Sequence, residues 1–190
     1  ISMFENCVGV KNIDATALRV NTTTITYSRM FAGCSSLEGA YTVGNQKNTS
    51  YDNGSVGSAV AFDSGLRFRS TANATNSSGT TYAWNTWTAS LNTNQMFENC
   101  DSMKNISLSS CFSGSTQNLS YMFSDCDKLQ QVTLNGFGNG LQANLAYLFN
   151  RSFGKAPNNG VIPTVTLTSV GNATGTSHAK TTRLEHMFDN

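Results

Sequence analysis

Five residues, Met96-Phe97-Glu98-Asn99-Cys100, return as Met122-Phe123-Ser124-Asp125-Cys126, and an alternating apolar skeleton follows each copy. The first skeleton is Met103-x-x-Ile106-x-Leu108-x-x-Cys111; the second is Leu129-x-x-Val132-x-Leu134-x-x-Phe137. Marker and skeleton recur together 26 residues on. No other feature constrains the fold as much, because a unit this short cannot bury its own apolar face and has to stack on its neighbours. The repeat predicts a solenoid.

Further markers stand at Met3-Phe4, Met30-Phe31, Leu148-Phe149 and Met187-Phe188. Cysteine follows the phenylalanine by three residues at Cys7, Cys34, Cys100 and Cys126, and Ser152 takes that place in the fifth copy. The skeleton is recognisable as Val10-Ile13-Ala15 and, weakly, as Leu37-Ala40-Thr42. In the fifth copy an insertion with Gly154, Pro157 and Gly160 delays it to Ile162-Val165-Leu167.

The period-two part of each skeleton predicts a short strand with one buried face, successive strands pairing in parallel about 4.8 Å apart. Ile106 and Leu108, Val132 and Leu134, and Val165 and Leu167 then point inward. Ahead of the markers, Leu119, Met122 and Phe123 fall at i, i+3 and i+4, which predicts a short helical or 3-10 turn on the opposite wall. Asn118 and Asn144 stand where a cap or a loop residue belongs. Stacking lines up Phe4, Phe31, Phe97, Phe123, Phe149 and Phe188 as a ladder. The expected class is α/β repeat: short parallel strands on one wall, short helical turns on the other, and a β-rich insertion.

That insertion, or irregular turn, covers 44–90. Val60 to Phe68 reads as a hairpin about Gly65, Asn73 to Thr81 as a polar loop, and Tyr82 to Leu91 as a strand that rejoins the stack. The chain starts at Ile1 inside a repeat and stops two residues past a marker. We therefore read 1–190 as a single solenoid fragment of a longer chain, with adjoining repeats of that chain among its partners.

Only 12% of the residues are charged and the formal net charge is +1. A usual share is about 25%, so the polar surface must come from Ser, Thr, Asn and Gly, as in secreted, cell-surface or virion proteins. Scattered Lys and Arg supply no footprint for nucleic acid. No apolar run approaches the roughly 20 residues of a membrane-spanning helix. Phosphate loops, nucleophile elbows and clustered histidines are missing, which argues against an enzyme and against a cofactor.

Zinc is disfavoured because the cysteines form no C-x-x-C pair. Cys100 and Cys126, one repeat apart, fall within reach of a disulfide, but a small buried side chain after the phenylalanine accounts for every copy. We expect free, buried thiols. Glu5, Glu98, Asp101, Asp125, Asp127 and Asp189 collect beside the markers, and Lys11, Lys104 and Lys128 follow them, which reads as a solvated face and not a cation site.

Leu119-Ser120-Tyr121-Met122-Phe123, with Cys126 and Leu129 behind, resembles the BspA-like class of leucine-rich repeats, in the variety of about 26 residues found in surface proteins of bacteria, mycoplasmas and some protists. The likeness is full over 96–137, partial over 1–43 and 145–190, and absent from 44–90. It implies a surface-exposed parallel-stranded solenoid that binds host proteins or mediates attachment. A recognition or adhesion module for a protein or glycan on a host or neighbouring cell is the first expectation. A structural repeat of a virion fibre or other extracellular appendage is the alternative.

Two surfaces are candidates. One is the outward strand face, with Asn105, Ser107, Gln131, Thr133, Thr164 and Thr166. The other is the insertion, where Arg67, Arg69, Tyr82, Trp84 and Trp87 are of the types enriched in binding hot spots.

Overall fold

A computed structural model describes residues 2–15, 24–43, 65–69, 74–75, 81–82, 90–109, 116–135, 142–154, 162–168 and 181–189. Among them the ordered elements are strands and turns, with no helix. Six strands form the first wall. In spatial order they are β1 (Asn12–Asp14), β4 (Gly65–Arg69), β3 (Gly39–Val43), β8 (Asn105–Ser109), β10 (Gln131–Asn135) and β12 (Thr164–Thr168), and every neighbouring pair is parallel.

The alternating skeleton dictates this register. Val132 lies between Ile106 and Val165, and Leu134 between Leu108 and Leu167. Burial along β10 alternates residue by residue, so each buried side chain meets its counterpart in the next unit. Ile162 departs from expectation. It precedes Pro163 and the start of β12, and it is 82% exposed where a skeleton residue belongs. Leu167 is 40% exposed because β12 is the outermost described strand on its side of the wall.

The opposite wall corrects a second expectation. It is another parallel sheet, made of β2 (Thr24–Thr26), β7 (Ser90–Asn92), β9 (Thr116–Asn118), β11 (Gln142–Asn144) and β13 (Thr181–Arg183). Each of these strands runs into an arc of tight turns, and it is these turns that place Leu119, Met122 and Phe123 on one buried face.

Backbone hydrogen bonding shows why no helix forms there. The N–H groups of Met122 and Ser124 close turns on the carbonyls of Leu119 and Tyr121, at 3.3 and 3.1 Å. Those of Tyr121, Phe123 and Asp125 instead leave the segment and donate to Ala146, Leu148 and Asn150 of the next unit, at 3.3, 2.9 and 2.9 Å. A helix would direct all of them to the carbonyls four residues back. Here alternate donors serve the neighbouring unit, and left-handed residues at Tyr121 (φ 55°) and Asp125 (φ 57°) turn them outward. The pattern recurs with Gln95 and Asn99, and with Arg29 and Gly33. Asn, Asp and Gly tolerate this conformation readily.

At the start of the arcs, Asn92, Asn118 and Asn144 occupy matched positions on successive strands. Their side-chain oxygens accept the N–H of the residue two further on, at Asn94, Ser120 and Ala146. Asn118 and Asn144 therefore open turns and do not cap helices. The Asn144 amide also donates to the Asn118 side-chain oxygen at 3.4 Å.

The core is the phenylalanine ladder. Ring centroids are 5.4 Å apart from Phe4 to Phe31, 5.6 Å to Phe97, 5.3 Å to Phe123, 5.5 Å to Phe149 and 5.5 Å to Phe188. Met96, Met103, Leu129 and Leu148 pack fully buried around it.

Within 44–90 the hairpin about Gly65 is contradicted in its described half. Both edges of β4 are occupied in parallel, Gly65–Arg67 by β1 and Leu66–Arg69 by β3, which leaves no edge for a preceding antiparallel partner. Residues 60–64 lie outside the described residues. Leu66 is completely buried and takes the inward place that Ile13 and Ala40 hold on the flanking strands. A small antiparallel pair, β5 (Ala74–Thr75) with β6 (Thr81–Tyr82), follows, and β7 restores the regular stacking.

Candidate functional site

Parallel registry turns the outward residues of the first wall into rows. One row runs Asn105, Gln131, Thr164, and the next runs Ser107, Thr133, Thr166. Asn105 is half-buried and the other five are exposed. All six are uncharged, and each can both donate and accept a hydrogen bond. With strands about 4.8 Å apart, a ligand about 10 Å across touches three strands. The six outward candidates named from the sequence are thus brought together.

Toward β3 the rows continue into a part of the wall that sequence reasoning missed. Gly39 pairs with Asn105, and Tyr41 pairs with Ser107 and with Arg67 of β4. Gly65 sits beside Gly39 on the neighbouring strand and donates its N–H to the Asn12 side-chain oxygen at 2.9 Å. The alignment of Leu37-Ala40-Thr42 with Met103-Ile106-Leu108 already implied that Tyr41 shares a row with Ser107. The weakness of that copy hid it.

Arg67 and Arg69 belong to β4, inside the wall, whereas Tyr82 belongs to β6 and pairs with Ala74. Trp84 and Trp87 lie outside the described residues.

The marker cysteines have a structural task. The thiols of Cys34, Cys100 and Cys126 donate to the carbonyls of Phe4, Phe31 and Phe97 in the preceding unit, at 3.1, 3.3 and 3.2 Å. The Ser152 hydroxyl donates to Phe123 at 2.5 Å, so the fifth copy keeps the bond while changing the atom. These three cysteines are free and buried, and Cys7 is free and half-buried. Burial pushes the Cys34, Cys100 and Cys126 thiols up, and at Cys100 the neighbouring Cys126 and Cys34 add to it. Such thiols are poor nucleophiles and poor metal ligands at neutral pH.

Three of the acidic residues beside the markers, Glu5, Glu98 and Asp125, pair with arginine. Arg29 reaches Glu5 at 2.8 Å in the preceding unit and also bonds Glu98 in the following one. Arg151 reaches Asp125 at 2.8 Å. Hydrogen bonds from Ser2 and Arg29 hold the Glu5 carboxylate below its usual range. Outside these pairs, Tyr121, Tyr147 and His186 stack at 4.7 and 4.9 Å along the arc. His186 meets Asp189 at 2.6 Å.

Among the described residues no three of His, Cys, Asp and Glu converge as metal ligands, and no helix is long and apolar enough to cross a membrane. Comparison with protein-family models, with curated proteins and with solved structures returned no match for this chain.

Proposed function

We propose that the chain is a non-enzymatic recognition module of an extracellular surface, built as a leucine-rich-repeat solenoid of the BspA-like kind. It binds a protein or glycan on a host or neighbouring cell. The supporting observation is the pair of registered rows, Asn105-Gln131-Thr164 and Ser107-Thr133-Thr166, on a wall whose inward residues on β8 and β10 are buried in the core. A rigid scaffold holds these groups at fixed spacing before any ligand arrives, which lowers the ordering cost of binding. The rows themselves carry no titratable group. They suit recognition through many weak polar contacts more than bond-making chemistry.

The test is a binding screen of the chain against host-surface proteins and glycans, repeated with Ser107, Thr133 and Thr166 together replaced by lysine. Loss of binding with the ladder intact supports the proposal. Undiminished binding sinks the wall as the site and moves attention to residues 44–82. A spacer in a virion fibre or other appendage is the second reading, favoured by the unchanged recurrence of the phenylalanine ladder from unit to unit. It predicts that the lysine variant loses no interaction, because the wild-type chain has none to lose.

A further inference from the structure

One strand of the first wall belongs to no unit of the repeat. Each of the others follows a marker phenylalanine: β1 follows Phe4, β3 Phe31, β8 Phe97, β10 Phe123 and β12 Phe149. β4 follows none. Phe31 and Phe97 stand 66 residues apart, which is the 26-residue step plus 40. Six residues join β8 to β9 (110–115) and β10 to β11 (136–141). Without the 40 residues 44–83, the same six (84–89) would join β3 to β7. β4 lies inside that excess.

The arcs on either side of β4 ignore it. Phe4 and Phe31 stack at 5.4 Å, and Phe4 and Asn6 donate their N–H groups to Met30 and Ala32 at 2.9 and 2.7 Å. The arcs therefore hold β1 and β3 one repeat apart where the strands begin, while β4 spreads them to two strand steps, about 10 Å. An extra strand is squeezed most on the arc side, and there both β4 and β3 have glycine. A Cβ added at Gly65 (φ 133°) would lie 2.5 Å from the Gly39 carbonyl oxygen, and one added at Gly39 would lie 2.8 Å from that of Asn105. The Tyr41 ring lies against both places, 3.0 and 2.4 Å from the same two added atoms. Only glycine admits the strand at this point.

This gives β4 a property that no other inner strand of the described wall has. If β8 were withdrawn, the arcs would still keep β3 and β10 two repeats apart, and both would lose a partner. If β4 is withdrawn, its neighbours are already tethered one repeat apart, and β1 closes on β3 with Ile13 beside Ala40. Closure remakes one of the two ladders lost and covers the place that Leu66 leaves.

We propose that β4 is a removable wedge: the first wall has a second, closed state in which β4 is out and β1 pairs directly with β3. The closed state is the minor one, because it exposes the wholly buried Leu66 and forfeits one ladder. The switch rewrites the outward rows. With β4 in, they run Asn12-Gly65-Gly39-Asn105 and Asp14-Arg67-Tyr41-Ser107. With β4 out, Gly65 and Arg67 leave, and Asn12 and Asp14 stand next to Gly39 and Tyr41. A ligand that touches β4, or that spans β1 to β8, binds the two states unequally and shifts their populations.

The test takes two measurements on the whole 190-residue chain. In the first, Asp14→Cys and Tyr41→Cys are introduced together and diamide is added, whose N=N bond takes up both thiol hydrogens and two electrons as the disulfide forms. With β4 in, the two positions are two strand steps apart, beyond the roughly 7 Å between Cα atoms that a disulfide spans; with β4 out they are one step apart. Ser107→Cys with Thr166→Cys is the control, since β10 also separates that pair but the arcs keep it two repeats apart in every state. Cross-linking at least about tenfold faster than the control is expected, and a rate equal to the control overturns the proposal. The second measurement is native-state hydrogen exchange of the unsubstituted chain, which shows whether the wedge leaves while the Tyr41 ring is in place. The β4 amides should exchange at least about tenfold faster than those of Val132 and Leu134 in β10, and equal protection overturns the proposal. Should the cysteine pair fail to fold, the chain lacking residues 44–83 replaces it. A nuclear Overhauser contact between Ile13 and Ala40 is then expected, and its absence overturns the closed state.

Discussion

The units at 90–135 and those at 2–43 share one arc and differ in their walls. In the arc, Phe97 donates its N–H to Met122 at 2.9 Å and Phe4 donates to Met30 at 2.9 Å, the same bond at both places. In the wall, β8 pairs directly with β10, whereas β4 lies between β1 and β3. The arc admits no intruder because each turn needs left-handed residues, a buried phenylalanine and a small donor at fixed offsets. The wall asks only for an alternating segment with one inward apolar residue, and Leu66 supplies it. Insertions therefore enter through the wall, and the polar face is altered there.

The sharpest way to break this comparison is at the ladder. Phe123 is fully buried between Phe97 and Phe149, so Phe123→Ala should cost about 3–5 kcal/mol, read from urea unfolding. Phe4 is half-buried with one ring beside it among the described residues, and Phe4→Ala should cost less than half as much. Equal losses would mean that the two arcs are not graded by burial.

Next comes the intercalated strand. Leu66→Ala should cost about 2–4 kcal/mol, since Leu66 is wholly buried between Ile13 and Ala40. A loss below about 0.5 kcal/mol would be a surface value and would show that β4 is not part of the core.

The marker thiols separate bonding from packing. Cys126→Ala should cost about 1–3 kcal/mol by removing the donor to Phe97, and Cys126→Ser should cost less, because Ser152 already performs that task. The same thiols set a pH dependence. With their folded pKa values raised by burial, the unfolded chain releases protons first, above about pH 8.5. Their contribution is complete below that pH and is lost above it, by about 1.4 kcal/mol per pH unit for each thiol until the folded thiols also ionise. Unfolding midpoints at pH 7 and 9.5, with and without serine at all three positions, measure the slope. Native-state labelling should be slow throughout.

The smallest effect is expected at Arg29, whose partly exposed guanidinium links Glu5 and Glu98 across three units. Arg29→Ala should cost about 0–1 kcal/mol and fade with added salt.

Much of the strand wall was legible in the chain because period-two burial leaves a direct record in composition, and Ile106, Val132 and Val165 align by inspection. The arc was misread for a definite reason. Leu119, Met122 and Phe123 share a face in a helix and equally in consecutive tight turns, and side-chain spacing does not say where the intervening N–H groups point. The pairing of Gly65 with Asn12 joins residues more than fifty positions apart, and no local pattern in either segment encodes it.

The repeat alone determined that the marker residues from Met30 to Phe149 are core, that the marker phenylalanines stack and that parallel strands stand in register, because every inner unit has the same interior to fill. Tertiary structure decided three further things: that the second wall is a sheet, that β4 enters the first, and that Tyr41 rests on Gly39 and Gly65. Each depends on which backbone groups meet across units, and backbone groups are the same in every residue.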